Sequence, residues 1–152
     1  MNAEDFIPYL RKTDADPAIQ QLLASLGVKK APKVKRGDTE ARVGLNERGI
    51  ELIFHPVEEA KSSLLQLGTV LVYGNTQGGE VTPYDGPLPG GLSFKDSRKE
   101  ARKKLGEPAA SNDALYRDTW DYPTHGLTLD YTEGGKSIVF IDISLPYEPE
   151  DE

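Results

Sequence analysis

Cysteine is absent from this chain, tryptophan occurs once and histidine only twice. Without cysteine there are no disulfides and no thiolate metal sites, and nothing marks the chain as built for an oxidising compartment. The two histidines, His55 and His125, fall at opposite ends of their respective predicted strands, a placement without metal-ligand spacing, so no metal or other cofactor is expected. Long apolar runs are also missing. No stretch approaches the ~18 consecutive apolar residues of a membrane span, and the opening Met1-Asn2-Ala3-Glu4-Asp5-Phe6 has neither the basic start nor the apolar core of a secretory leader. The expected address is the cytoplasm, with no membrane partner.

Positive charge is in deficit as well. A formal net charge of −7 opposes general binding to a phosphate backbone, which needs a surface able to displace counterions, and it favours a basic partner. The serines have no nucleophile signature around them, and the glycine pairs lack the lysine of a phosphate loop. Catalytic residues are therefore expected to be none, and the chain is read as a non-enzyme.

What is present describes an architecture. A chain of 152 residues fits one domain. In Asp16-Pro17-Ala18-Ile19-Gln20-Gln21-Leu22-Leu23-Ala24-Ser25-Leu26-Gly27, apolar residues at 19, 22, 23 and 26 share one helical face. Asp16 suits the N-cap, Pro17 the first helical position and Gly27 the left-handed stop. A second helix follows the same grammar: Ser97 and Glu100 have capping-box spacing, Ala101 and Leu105 lie one turn apart, and Gly106 closes before Pro108. After each helix comes an alternating strand that begins at glycine and ends in an aromatic, Gly49 to Phe54 and Gly126 to Tyr131. The closing and opening glycines lie 22 residues apart in the first half and 20 in the second. Strands at Glu40 to Leu45 and Leu67 to Tyr73 match strands at Tyr116 to Tyr122 and Ser137 to Leu145. The expectation is an α+β domain of two pseudo-repeated units, about 16–73 and 97–145, each one helix followed by about three antiparallel strands. A Gly/Pro-rich loop, 74–91, joins them.

Three segments are candidates for function. The loop reads either as a plain link or as a surface that presents Tyr84 and Asp85. The basic run Lys95 to Lys104 reads as the solvated face of the second helix, since no aromatic beside it is placed for base stacking; nucleic acid is not an expected partner. The strand Tyr116-Arg117-Asp118-Thr119-Trp120-Asp121-Tyr122 alternates aromatics with acids, and period two sends Tyr116, Asp118, Trp120 and Tyr122 to one face. Trp120 and Tyr122 are core in one reading. In the other, Asp118, Trp120, Asp121 and Tyr122 join Tyr84 and Asp85 as a partner-binding surface, because aromatic anchors dominate binding hot spots and carboxylates meet a basic protein. The acidic end, Glu148 to Glu152, reads as a disordered, solubilising tail.

The pattern Pro87-Leu88-Pro89-Gly90-Gly91-Leu92-Ser93-Phe94, then Asp96-Ser97-Arg98, Leu105-Gly106-Glu107-Pro108 and Asp118-Thr119-Trp120, resembles bacterial polymorphic-toxin immunity proteins. Gly49 to Phe54, and Tyr73 ahead of Tyr84-Asp85-Gly86, are similar to the first half of such proteins. The helix-plus-strand unit also resembles the repeat of beta-lactamase inhibitor protein and of small outer-membrane assembly lipoproteins, though the leader and lipidation cysteine of the latter are missing here. The resemblance implies a cytosolic protein that binds a cognate toxin and blocks its active site or an essential surface. A basic nuclease is the toxin class that the charge suits, and a non-catalytic interaction scaffold is the alternative.

Overall fold

Local chemistry decides where the helices begin and end. In the computed structural model, which describes residues 2–57, 64–74 and 81–146, helix α1 spans Pro17–Ser25 and helix α2 spans Arg98–Leu105. The Asp16 carboxylate accepts from the Ala18 amide at 2.8 Å. At α2 the capping box is closed in both directions, the Glu100 amide donating to Ser97 Oγ at 3.2 Å and the Ser97 amide to Glu100 Oε1 at 3.3 Å. Gly27 and Gly106 stop the two helices at φ of 79° and 87°, a region that L side chains avoid. A 3-10 segment, Ala3–Tyr9, capped by Asn2 and burying Phe6, precedes α1. No periodic apolar stripe announces it, because so short a segment depends on its packing.

Among the described residues, seven strands form one antiparallel sheet: β1 Ala41–Leu45, β2 Ile50–Pro56, β3 Leu65–Tyr73, β4 Ala110–Asn112, β5 Arg117–Asp121, β6 Gly126–Tyr131 and β7 Ile138–Ser144, in spatial order β1-β2-β3-β7-β6-β5-β4. The class is α+β. Two meanders meet where β3 pairs with β7, from Thr69 opposite Ser144 to Tyr73 opposite Phe140. Short β4 is an edge strand beyond the six that the sequence predicts; Ala110, Ser111 and Asn112 are all exposed and carry no apolar alternation. Among the described residues, no helix is long and apolar enough to cross a membrane.

Register sorts the side chains of every strand onto one of two faces. The covered face carries the row Val43, Leu52, Val70, Ile143, Leu127 and Trp120 and, beside it, the row Leu45, Ile50, Val72, Ile141, Leu129 and Asp118. With the apolar sides of the 3-10 segment, α1 and α2, these rows make one core that includes Phe6, Ile19, Leu22, Phe54 and Ala101.

The connector is part of that core. Residues 75–80 of the expected loop, like the expected acidic tail, lie outside the described residues. Beyond them, Tyr84, Leu88 and Leu92 are buried, and backbone bonds anchor the segment: the Tyr84 amide donates to Tyr73 O at 2.9 Å and the Ala3 amide to Pro87 O at 2.9 Å. It is a packed layer rather than a plain link, because its apolar residues have sheet and 3-10 segment to pack against.

Helix α2 also departs from the expected solvated basic face. Asp118 stands in a core row with no accessible surface, and two of the helix's arginines turn inward to neutralise it. Oδ1 accepts from Arg98 Nη2, Arg102 Nη2 and Ser111 Oγ, each at 2.8 Å, and Oδ2 from Arg102 Nε at 3.0 Å and the Tyr131 hydroxyl at 3.1 Å. Burial alone pushes this carboxyl upward. The hydrogen bonds from Arg102, Arg98 and Ser111 outweigh it and hold Asp118 well below the usual carboxylate range. The same charge, with burial ahead of it, raises the Tyr131 phenol. Of the basic run, Lys95, Lys99, Lys103 and Lys104 are exposed, and Lys104 Nζ reaches Asp96 at 2.8 Å.

Candidate functional site

The residues that alternate with the core rows make the other face of the sheet. Pairing lines them up across the strands: Arg42, Ile53, Thr69, Ser144, Gly126 and Asp121 in one row, Gly44, Glu51, Leu71, Asp142, Thr128 and Thr119 in the next, and Tyr73, Phe140, Asp130, Arg117 and Asn112 in the third. Most of these side chains keep part of their surface in solvent, although Ile53 and Asp130 are buried. Arg42, Ile53, Thr69, Leu71, Phe140, Asp142 and their neighbours line a depression of about 510 Å³.

Charges on this face are partly paired off. Arg42 bridges Glu51 at 2.9 Å and Glu40 at 3.0 Å. Arg117 Nε donates to Asp130 Oδ1 at 2.6 Å. The Thr119 and Thr128 hydroxyls bond to each other at 3.0 Å. Asp142 differs: its Oδ1 is hidden from solvent and has no hydrogen-bond partner among the described residues. Burial, then the neighbouring Asp130 charge, pushes Asp142 up to about 6, with Arg117 offsetting part of the rise. An acid in this state is poised to accept a proton or a cation.

The expected partner-binding residues do not form one surface. Asp118 and Trp120 share a face, as period two requires, but it is the covered one. Trp120 is 4% exposed, and its indole donates to Gly106 O at 3.1 Å, which ties β5 to the end of α2. Tyr84 is interior, and burial, followed by the charges of Asp5 and Asp85, raises its phenol. Tyr122 is half-buried and stacks on His125 with ring centroids 4.9 Å apart. Asp85 is exposed but lies near Leu26, Glu47 and Arg48, away from the open rows. Asp121 alone of the six is both exposed and on the open face. Apolar burial wins over display because Trp120 and Tyr84 release more free energy inside, ~2–3 kcal/mol for a fully buried large side chain, than as exposed anchors.

Asp142, Asp130 and Arg117 were not singled out as site residues by sequence. A signal for Asp142 exists in Ile141-Asp142-Ile143, where alternation sends the acid to the face opposite two isoleucines. That its carboxyl is enclosed by β3 and β6 is invisible without the register.

The histidines stand apart from this cluster in different ways. His55 Nδ1 lies 3.8 Å from Glu40 at the end of β2. Burial lowers His125, with the Glu4 charge opposing, and its Nδ1 lies 2.8 Å from Thr124 Oγ1. Among the described residues no group of three or more metal-ligating side chains comes together. No protein family, curated protein or solved structure matches this chain.

Proposed function

We propose that the protein is an immunity-type inhibitor that binds a cognate bacterial toxin in the cytoplasm, without turnover of its own, and that the open face of the sheet is its docking surface. One observation carries the reading: a seven-stranded sheet face on which, among the described residues, Glu51, Asp121, Asp130 and Asp142 oppose Arg42 and Arg117. The net charge of −7 favours a basic toxin in the same direction. Strands ~4.8 Å apart and rows ~7 Å apart give this face about 30 Å by ~15 Å, on the order of half the ~800 Å² that one partner contributes to a standard interface. Rim residues such as Glu40 and His55 extend it.

The reading also takes the two halves as a duplication. Two register shifts support this, one between Ile53 and Phe54 and the other between Asp130 and Tyr131, at equivalent distances from Gly49 and Gly126. After the shifts Phe54 pairs with Leu67 and Tyr131 with Ile138, and continuing that correspondence equates Leu71 with Asp142. These two residues are partners across the β3–β7 seam, as a two-fold axis through the seam requires. The docking face is then centred on the joint between the units.

The test is co-expression with the toxin encoded beside its gene, with calorimetry on the purified pair. Protection together with direct binding is the expected result. Failure to bind that neighbour removes the immunity reading.

A further inference from the structure

We propose that Asp142 is the receptor for a lysine or arginine side chain that a docked protein partner inserts into the depression on the open sheet face. The inference rests on the open face being a docking surface and adds the chemistry of the contact at its centre. Among the described residues, no cation forms an ion pair with this carboxyl. Arg42 is committed to Glu40 and Glu51 at 3.0 and 2.9 Å, and Arg117 to Asp130 at 2.6 Å. Asp142 Oδ1 accepts from no described residue, and an enclosed acceptor without a donor costs ~1–3 kcal/mol until something supplies one.

The walls suit a long cationic side chain. Leu71 on β3 is the cross-strand partner of Asp142, and Ile53 and Phe140 line the same depression, so the methylene stem of lysine or arginine finds apolar surface while its charged head meets the acid. The carboxylate charge is shared between its two oxygens, so a cation held at either one stabilises the ionised form.

Other occupants fit less well. A divalent cation lacks ligands, since no group of three metal-binding side chains comes together among the described residues. A second copy of this chain brings net charge −7 against −7. A nucleic acid meets repulsion from the same acids.

A consequence follows for pH. Among the described residues, the titratable and charged groups in the three rows around Asp142 are Asp130 on β6, Arg117 and Asp121 on β5, Glu51 on β2, Arg42 on β1 and the Tyr73 phenol on β3. A bound cation stabilises the ionised form of Asp142, so binding releases a proton near pH 6 and weakens below it.

The experiment is an NMR titration of the isotope-labelled protein with methylguanidinium chloride and with n-butylammonium chloride, each against sodium chloride at equal ionic strength. Expected are amide shifts centred on Leu71, Thr128 and Asp142, and a fall of about half a unit in the Asp142 midpoint at a probe concentration near twice its Kd, both lost in Asp142→Asn. Shifts no larger than with sodium, or unchanged in Asp142→Asn, overturn the proposal. Co-expression with the neighbouring toxin separates the two ideas. If the wild type protects and Asp142→Asn and Asp142→Lys protect and bind equally, the Asp142 contact is wrong and the immunity reading stands. If the wild type fails to protect while the probes bind as expected, the immunity reading is wrong and the cation site stands. Agreement of both predicts at least a tenfold loss of toxin affinity in Asp142→Asn, and a larger one in Asp142→Lys.

Discussion

Replacing Asp118 with asparagine removes the negative charge that both arginines of α2 converge on, while nearly keeping the side chain's shape. In the variant Arg98, whose side chain is 17% exposed, and Arg102, at 35%, lose their common acceptor. Removing one partner of a buried ion pair costs ~3–5 kcal/mol, because the opposite charge is left desolvated. Here the lower end applies, since Arg102 can swing toward water and Arg98 keeps exposed Asp113 at 2.9 Å. A loss of about 3 kcal/mol is a large fraction of the ~5–15 kcal/mol that holds an ordinary domain together, and corresponds to roughly a 10 °C fall in Tm. Urea unfolding at pH 7 measures it, with the m-value checking that the transition stays two-state. The sign of the pH dependence is set as well. The folded carboxyl titrates below its unfolded value, so its stabilisation is present above the ordinary carboxylate range and is lost as pH falls through the folded value. Asp118→Asn therefore shows a shallower acid limb than the wild type. If Asp118→Asn costs under about 1 kcal/mol, the cluster does not lock α2 to the sheet and the reasoning fails.

Asp142 predicts the opposite pH trend. Its folded value is raised, so its contribution is fully present below the unfolded value near 4 and is lost as pH rises through about 6; Asp142→Asn is expected to gain about 1.4 kcal/mol relative to wild type between pH 5 and pH 7.5, read by denaturation at each pH. Gly49→Ala is expected to cost ~3 kcal/mol or more, since φ is 70° and the added carbon meets Thr82 O at 2.4 Å and Tyr84 N at 2.5 Å. Gly126→Ala, whose nearest neighbour is the Ser144 hydroxyl oxygen at 3.1 Å, is expected to cost under about 1 kcal/mol in the same assay, and equal costs in the pair refute the distinction. Asp121→Lys, on the open face, weakens toxin protection without lowering Tm, whereas Asp85→Lys, away from it, leaves protection intact; the reverse order in co-expression moves the interface off the sheet. The double variant His55→Ala, His125→Ala keeps protection if the protein acts by binding alone, and loss of protection with toxin affinity unchanged contradicts that.

Capping and periodicity alone determined much of this protein. Asp16, Pro17 and Gly27 bound α1, Ser97, Glu100 and Gly106 bound α2, and period-two alternation placed six of the seven strands, because each of these signals acts through a residue's own backbone or its near neighbours. Alternation also placed Asp118 and Trp120 together on one face. Which face that is, inward or outward, was decided only by tertiary structure. A strand such as Arg117-Asp118-Thr119-Trp120-Asp121 reads the same whether Trp120 or Thr119 faces the core, and the choice turns on α2 coming to rest above it with Arg98 and Arg102 able to neutralise a buried acid. A basic helix looks solvated until that acid is known, since the pairing spans 16 to 20 residues of sequence. Asp142 is the mirror case. Its outward direction is written in Ile141 and Ile143, but its enclosure arises from Leu71 and Thr128 on two other strands. Desolvation depends on every atom within a few ångströms, and only the folded sheet brings those atoms together.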